Sequence, residues 1–208
     1  MDDLETQVEH AIERAIRSFN PTDPQSYVLW DHELERLEQQ VNQASSSPSR
    51  QVLLGSLYAH RISIASEVGR LDRVLGLSAV FLRDIQPSHP GLYLVVAQRS
   101  HALHLVDEHD EEARVVLETV RTAEIHGGEL LRLLNDLSRR HPGILPIDVD
   151  LLDKIKQAAG SLRSEGYSSL PQPSDDPAKI EEEIHQMVTE LRRINRTMGK
   201  ALLGGESS

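Results

Sequence analysis

The amino-acid sequence predicts an all-α protein of stacked antiparallel helical hairpins, followed by a long amphipathic helix at its C-terminus. Two observations lead to this fold class. Apolar residues recur at three- and four-residue spacing through nearly the whole chain, which is the period of an α-helix. No segment alternates apolar and polar residues over several positions, as a half-buried strand would. Turns rich in Pro, Gly or Ser separate eight such helical stripes within residues 1–163.

The first three helices are bounded by recognisable start and stop signals. The first stripe spans residues 4–19 and ends at Asn20-Pro21. A second helix begins at Asp23-Pro24, with Asp23 as the N-cap and the proline at the first helical position. Ser47-Pro48 predicts the same kind of start for the third helix. Gly69 closes that helix as a left-handed cap residue.

Five more helices follow within residues 71–163. The fourth stops at Pro87, and the fifth runs from about residue 90 to residue 106. The sixth opens with an acidic turn at residues 110–112, which suits the positive end of a helix dipole. We interpret Gly127-Gly128 as its terminator. A seventh stripe follows, and Asp148 caps the eighth.

The C-terminal part of the chain has a different character. Residues 164–176 have the composition of a flexible or extended linker, and residues 204–208 that of a disordered tail. Between them, residues 177–203 form one coiled-coil-like helix with apolar positions alternately four and three residues apart, a pattern that we call the heptad seam. The seam consists of Ile180, Ile184, Met187, Leu191, Ile194, Met198 and Ala201.

The seam is too large an apolar stripe to remain in water. It therefore lies against the body of this chain (residues 1–163), against a second copy, or against another protein. The sequence leaves these three possibilities open.

Composition and charge restrict the function. Lys and Arg number 22 against 33 Asp and Glu, a formal net charge of −11, which argues against nucleic acid or an anionic membrane as the main partner. The absence of cysteine excludes disulfides and thiolate metal sites. The acidic start at residues 1–5 does not resemble a secretory signal, and no apolar run approaches the length of a membrane span. We expect a cytoplasmic protein without membrane association.

Four short segments resemble the tetratricopeptide repeat, over about residues 50–126. Residues 69–74 are similar to the turn and second-helix opening of that repeat, and Gln86-Pro87 to its closing proline. Residues 107–113 repeat the opening, and residues 54–58 occupy the place of the family's Leu-Gly-Tyr set. The two openings lie 39 residues apart, from Val74 to Ala113, whereas the family repeats every 34 residues.

This resemblance implies a binding module whose concave face is lined by the first helix of each pair. On this sequence those are the third and fifth helices. They carry Tyr58, Arg61, Gln98 and Arg99 as candidate partner contacts. The alternative is that Tyr58 belongs to the core and that the arginines are only solvated.

Two patterns raise the question of chemistry. His101, His104 and Glu108 share one helix face, but structural zinc sites usually include thiolates, so we interpret them as surface residues and expect no metal or cofactor. Arg99 followed by His104 resembles the motif of the all-helical HEPN ribonucleases. Residues 83–89 and 121–126 also match it, and a chain with ten histidines and many arginines gives such matches by chance.

We therefore expect a non-enzymatic adaptor or regulator, with no catalytic residues, that binds a protein or peptide through a helical groove, the C-terminal helix, or both. Two alternatives are a HEPN-like ribonuclease and a homodimer held by the heptad seam. The predicted partner-binding residues are Tyr58, Arg61, Gln98, Arg99, Ile180, Ile184, Met187, Leu191, Ile194 and Met198.

Overall fold

The computed structural model describes residues 2–44 and 48–204, with side chains as far as residue 197. Within these residues every regular element is helical, which confirms the all-α prediction. The elements are α1 (Asp2–Ser18), α2 (Pro24–Gln43), α3 (Pro48–Glu67), α4 (Leu71–Asp84), α5 (Leu92–Leu105), α6 (His109–Thr122), α7 (Gly127–Arg140), α8 (Val149–Ser164), a 3₁₀ turn (Pro177–Lys179) and α9 (Ile180–Gly204).

Several helix ends follow the signals in the sequence. The Asp23 side chain accepts a hydrogen bond from the backbone N–H of Gln25, and the Asp148 side chain accepts one from Leu151. Gly69 adopts a left-handed φ of +72°, as a glycine after a helix C-terminus commonly does. The Ser47 predicted to cap α3 lies outside the described residues.

The interpretation of Gly127-Gly128 as the terminator of α6 is wrong. Helix α6 already ends at Thr122, and Gly127 is the first residue of α7. A Cβ at Gly127 would lie 2.8 Å from the carbonyl oxygen of Ala158. Glycine is therefore needed here because the α8 backbone approaches closely, and not because a helix ends.

The described chain divides into two compact units, one up to Glu112 and one from Ala113 onward. The predicted domain boundary lies elsewhere, at residues 163–164. Helix α8 does end at Ser164, and residues 165–176 have no regular helix or strand before the 3₁₀ turn. Of the predicted tail, Gly204 is the last residue of α9, and residues 205–208 lie outside the described residues.

The first unit is a stack of helical hairpins. Each helix from α1 to α5 packs against its neighbour in sequence, and α3 also contacts α1 and α5. Contacts at Asn42–Arg50 and Glu38–Tyr58 show that α2 and α3 run antiparallel. Helix α3 lies at the centre and buries residues on most of its circumference.

The second unit is organised around α7. Both α8 and α9 pack against it, and five of its leucines are buried: Leu130, Leu131, Leu133, Leu134 and Leu137. The segment that links α8 to α9 contains turns and no regular helix or strand before the 3₁₀ turn, and Leu170 within it is buried. No described helix combines the length and the apolar character that crossing a bilayer requires.

Candidate functional site

The Arg61 side chain, only 2% exposed, joins α3 to α2 through three carboxylates. Its Nε donates to Asp31 at 2.8 Å, one Nη donates to Glu35 at 3.1 Å, and the other donates to Glu38. Arg73 of α4 donates to the second oxygen of Asp31 at 2.8 Å. A buried charge is tolerated only when it is paired, and here it is paired three times. We call Asp31, Glu35, Glu38 and Arg61 the Arg61 cluster.

Tyr58 extends this cluster. Its buried hydroxyl donates to Glu38 at 2.8 Å. Burial raises the pKa of the Tyr58 phenol above its usual range, and the hydrogen bond to the Glu38 carboxylate raises it further. The partner-binding role of Tyr58 and Arg61 stays a prediction. In the structure, both side chains are interior and hold two helices together.

Gln98 and Arg99 also have intramolecular partners. The Gln98 side chain accepts a hydrogen bond from Ser66 of α3. One guanidinium nitrogen of Arg99 donates to the Leu75 carbonyl at 2.8 Å and to the Ser78 hydroxyl at 3.1 Å. Both residues of α5 therefore bind other helices of their own unit. Their role in partner binding, too, stays a prediction.

The heptad seam is docked within its own unit as far as Leu191. Ile180, Ile184 and Met187 are 0% exposed and Leu191 is 2% exposed, where α9 packs against α7. Ile194 is half-buried. The side chains of Met198 and Ala201 lie outside those that the structure describes.

Polar contacts hold the start of α9 in place. The Glu181 carboxylate accepts hydrogen bonds from the backbone N–H groups of Gly143 at 3.0 Å and Leu145 at 3.3 Å. One turn later, the ring nitrogen Nδ1 of His185 lies 3.1 Å from the side-chain oxygen of Asn135 on α7. These contacts show that α9 runs antiparallel to α7 in a single register.

The segment after α8 binds α9 from another direction. The Tyr167 hydroxyl donates to Asn195 at 3.0 Å, and the Ser169 hydroxyl donates to Glu190 at 2.6 Å. Hydrogen bonds from Arg193 and Ser169 lower the pKa of the Glu190 carboxyl to about 2. The predicted linker is therefore a packed part of the second unit.

Beyond the docked turns, α9 exposes a basic stripe that we call the arginine face. Thr189, Arg192, Arg193, Arg196 and Thr197 follow the i, i+3, i+4, i+7, i+8 spacing of one helix face, and all five are exposed. Arg193 pairs with Glu190 of the same helix. Within the described chain, Arg192 and Arg196 form no hydrogen bond or ion pair.

A second group of side chains, which could bind a metal ion, lies at the turn between α5 and α6. His104, His109 and Glu112 each place one donor atom within 4.8 Å of the others. We call these three residues the His–Glu cluster. The sequence pattern indicated only His104 of this cluster, because it grouped His104 on one helix face with His101 and Glu108, which are exposed and do not belong to the cluster. The spacing of two histidines and a glutamate across a helix–helix turn was the available signal.

Two of the segments that resemble the ribonuclease motif contain a residue that already contacts another part of the first unit. The best of them pairs Arg99 with His104, and Arg99 is already bound to α4. His89 in the first alternative is buried, with Nε2 3.1 Å from the Val52 carbonyl oxygen. The ribonuclease alternative stays untested.

Comparison with protein-family models, with curated proteins and with solved structures finds no match for this chain. The resemblance to the tetratricopeptide repeat is therefore neither supported nor contradicted by a relative. What the fold itself establishes is a stack of packed helical hairpins.

Proposed function

We propose that this chain is a non-enzymatic protein-binding module, and that the arginine face of α9 binds an acidic segment of a partner protein. The difference between the two parts of α9 carries the proposal. Up to Leu191 the helix buries its seam in its own unit, and from Arg192 to Thr197 it presents mostly exposed polar and basic side chains. The docked part fixes the position of the exposed part.

Charge complementarity identifies the partner class. A guanidinium group matches the geometry of a carboxylate and can bind it through two parallel hydrogen bonds. Arg192 and Arg196 lie four residues apart on one side of the helix and are not engaged by the described residues. Two adjacent carboxylates of an acidic segment could each bind one of these guanidinium groups.

A polyanionic nucleic acid fits less well than an acidic protein segment. Nucleic-acid binding depends on neutralising many phosphates at once, whereas this stripe offers three arginines in a chain of net charge −11. The overall negative field repels a long polyanion more than a short acidic segment.

The docked seam bears on the homodimer alternative. A second copy could use Ile184, Met187 and Leu191 only after α9 had separated from α7, which would expose side chains that are now fully buried. We therefore propose a partner that binds without undocking the helix. Location in the cytoplasm belongs to the same proposal.

The experiment measures binding of a fluorescently labelled oligoglutamate peptide to the full chain by anisotropy at low ionic strength. We expect saturable binding that weakens with added salt. The double variant Arg192→Gln/Arg196→Gln should bind roughly tenfold more weakly, equivalent to about 1.4 kcal/mol.

The matched control is Arg17→Gln/Arg139→Gln, which removes the same two charges from exposed positions on α1 and α7. It should bind the peptide nearly as well as the wild type. Equal losses in both double variants would reduce the effect to net charge and contradict the proposal. If labelled single-stranded oligothymidine binds more tightly than the peptide, the partner is a nucleic acid and the proposal of an acidic protein segment is wrong.

A further inference from the structure

Three metal-ligating side chains converge where α5 turns into α6. His104 lies in the last turn of α5, His109 is the first residue of α6, and Glu112 lies one turn further on. The Nδ1 atom of His104 is 3.7 Å from Oε2 of Glu112, and the two imidazole centroids are 5.5 Å apart. The reversal of the chain, and not one helix face, brings these donors together.

The backbone of the turn explains the convergence. Asp107 adopts a left-handed φ of 61°, and Glu108 donates its N–H to the Leu103 carbonyl at 3.0 Å, as in a Schellman cap. Aspartate tolerates this conformation better than most residues other than glycine. The tight reversal leaves only four residues between His104 and His109, so both imidazoles face the same side of the turn.

The carboxylate of the cluster is buried, and its two imidazoles are partly exposed to solvent. The Glu112 side chain is 0% exposed, whereas His104 is 34% and His109 43% exposed. The hydroxyl of the buried Ser100 donates to Oε1 of Glu112 at 2.9 Å. This bond orients the carboxylate so that Oε2 faces His104, as outer-shell groups do around metal ligands.

We propose that His104, His109 and Glu112 bind one divalent transition-metal ion. Two imidazoles and one carboxylate form a three-ligand set that suits zinc. Tetrahedral ligands around zinc are about 3.4 Å apart, from metal–ligand distances of about 2.0–2.1 Å. The 3.7 Å pair is already close to that spacing. Calcium and magnesium prefer sites composed of oxygen ligands, so the two histidines select against them.

The proposal is independent of the arginine face and is tested on the full chain. Chelator-treated protein is titrated with Zn²⁺ by calorimetry, and Co²⁺ serves as a spectroscopic probe whose visible absorption reports tetrahedral coordination. We expect one equivalent of Zn²⁺ to bind and to raise the thermal unfolding midpoint, because a ligand that binds the folded state stabilises it.

Histidine-rich chains bind zinc adventitiously. Variants are therefore needed to show whether zinc binds at the His–Glu cluster or at other histidines. His104→Ala and His109→Ala remove half-exposed side chains and should each weaken zinc binding at least tenfold and abolish the cobalt spectrum. His101→Ala, an exposed histidine of the same helix, is the matched control and should change neither. Glu112→Gln keeps the side-chain volume and the acceptor for Ser100 while removing the charge, and it should also weaken binding.

Two results would overturn the proposal. One is the absence of stoichiometric zinc binding by the wild-type chain. The other is binding that His104→Ala and His109→Ala reduce no more than His101→Ala does, with circular dichroism showing that all three variants are folded. That second pattern would assign the zinc to the remaining histidines.

Discussion

Two antiparallel helix–helix interfaces in this chain both involve helices with buried apolar side chains, and the first also buries an arginine that is paired with carboxylates. In the first unit, α3 lies antiparallel to α2 and is joined to it by the Arg61 cluster. In the second unit, α9 lies antiparallel to α7 and buries the apolar heptad seam. The apolar seam could be predicted from the sequence, because its apolar residues recur with the period of the helix. The Arg61 cluster could not be predicted in this way.

Substitutions at the two interfaces should also lower the free energy of unfolding for different reasons. Truncating an apolar side chain loses its transfer free energy and leaves a cavity, so the cost depends on the volume removed. Removing one member of a buried ion pair leaves the remaining charges without compensation, so the cost depends on what stays behind. Each of the following variants tests one side of this contrast.

The largest effect is expected for Arg61→Met. The methionine fills much of the same space, but the carboxylate of Glu38 loses its cation, and Asp31 and Glu35 keep only Arg73. We expect the free energy of unfolding to fall by about 3–5 kcal/mol. The measurement is urea unfolding followed by the fluorescence of Trp30, which lies on α2 and is the one tryptophan of the sequence.

Arg36→Met is the control for this variant. Arg36 pairs with Glu33 on the exposed side of α2, and its loss should leave the free energy of unfolding nearly unchanged, because solvent screens an exposed ion pair. Adding Glu38→Gln to Arg61→Met should restore part of the stability, because it removes the charge that has lost its cation. An Arg61→Met protein as stable as Arg36→Met would show that the buried cluster does not hold α2 to α3.

On the apolar side, Ile184→Ala should destabilise by about 2–4 kcal/mol, through lost transfer free energy and a cavity between α9 and α7. Ile194→Ala, half-buried near the end of the docked region, should cost clearly less. Urea unfolding followed by far-UV circular dichroism measures both. Equal costs at the two positions would contradict the view that docking weakens after Leu191.

The contrast shows which parts of the fold were predictable. Helix positions, most caps and the seam follow from periodicity and from short local signals such as Asp23-Pro24. Gly127 was misinterpreted because a glycine pair has the same appearance whether it ends a helix or admits a neighbouring backbone, here that of Ala158. Only the tertiary structure separates these two reasons for a glycine.

The candidate sites were less predictable, for a physical reason. Asp31, Glu35 and Glu38 occupy one face of α2 at i, i+4 and i+7, which in a sequence has the appearance of a solvated acidic face. It becomes an interior cluster because Arg61 is opposite it, on another helix. Likewise, His109 belongs with His104 because of the turn at Asp107, and a search along one helix does not find it.

A smaller effect is expected at the polar anchor of α9. Glu181→Ala removes the acceptor for the backbone N–H groups of Gly143 and Leu145 and should cost about 1–2 kcal/mol. Glu182→Ala, exposed on the next position of the same helix, is the control and should be nearly neutral. Both are measured by urea unfolding with circular dichroism. Should the two variants be equally stable, the seam alone would fix the register of α9.

The smallest effect concerns the Tyr58 hydroxyl at the edge of the charged interface. Its pKa lies above the ordinary value of 10.0 because of burial and the Glu38 hydrogen bond, so the folded state holds this proton more firmly than the unfolded state does. The stability that this provides is complete below pH 10 and is lost as the pH rises through the folded-state pKa. Tyr58→Phe should cost about 0.5–1.5 kcal/mol near neutral pH, a difference from wild type that shrinks in alkali. Tyrosinate absorbance should lose its latest-titrating phenol in this variant, whereas Tyr93→Phe should retain it. If the phenol missing from the Tyr58→Phe titration has an ordinary pKa, the Tyr58 hydroxyl lies in water and not against Glu38.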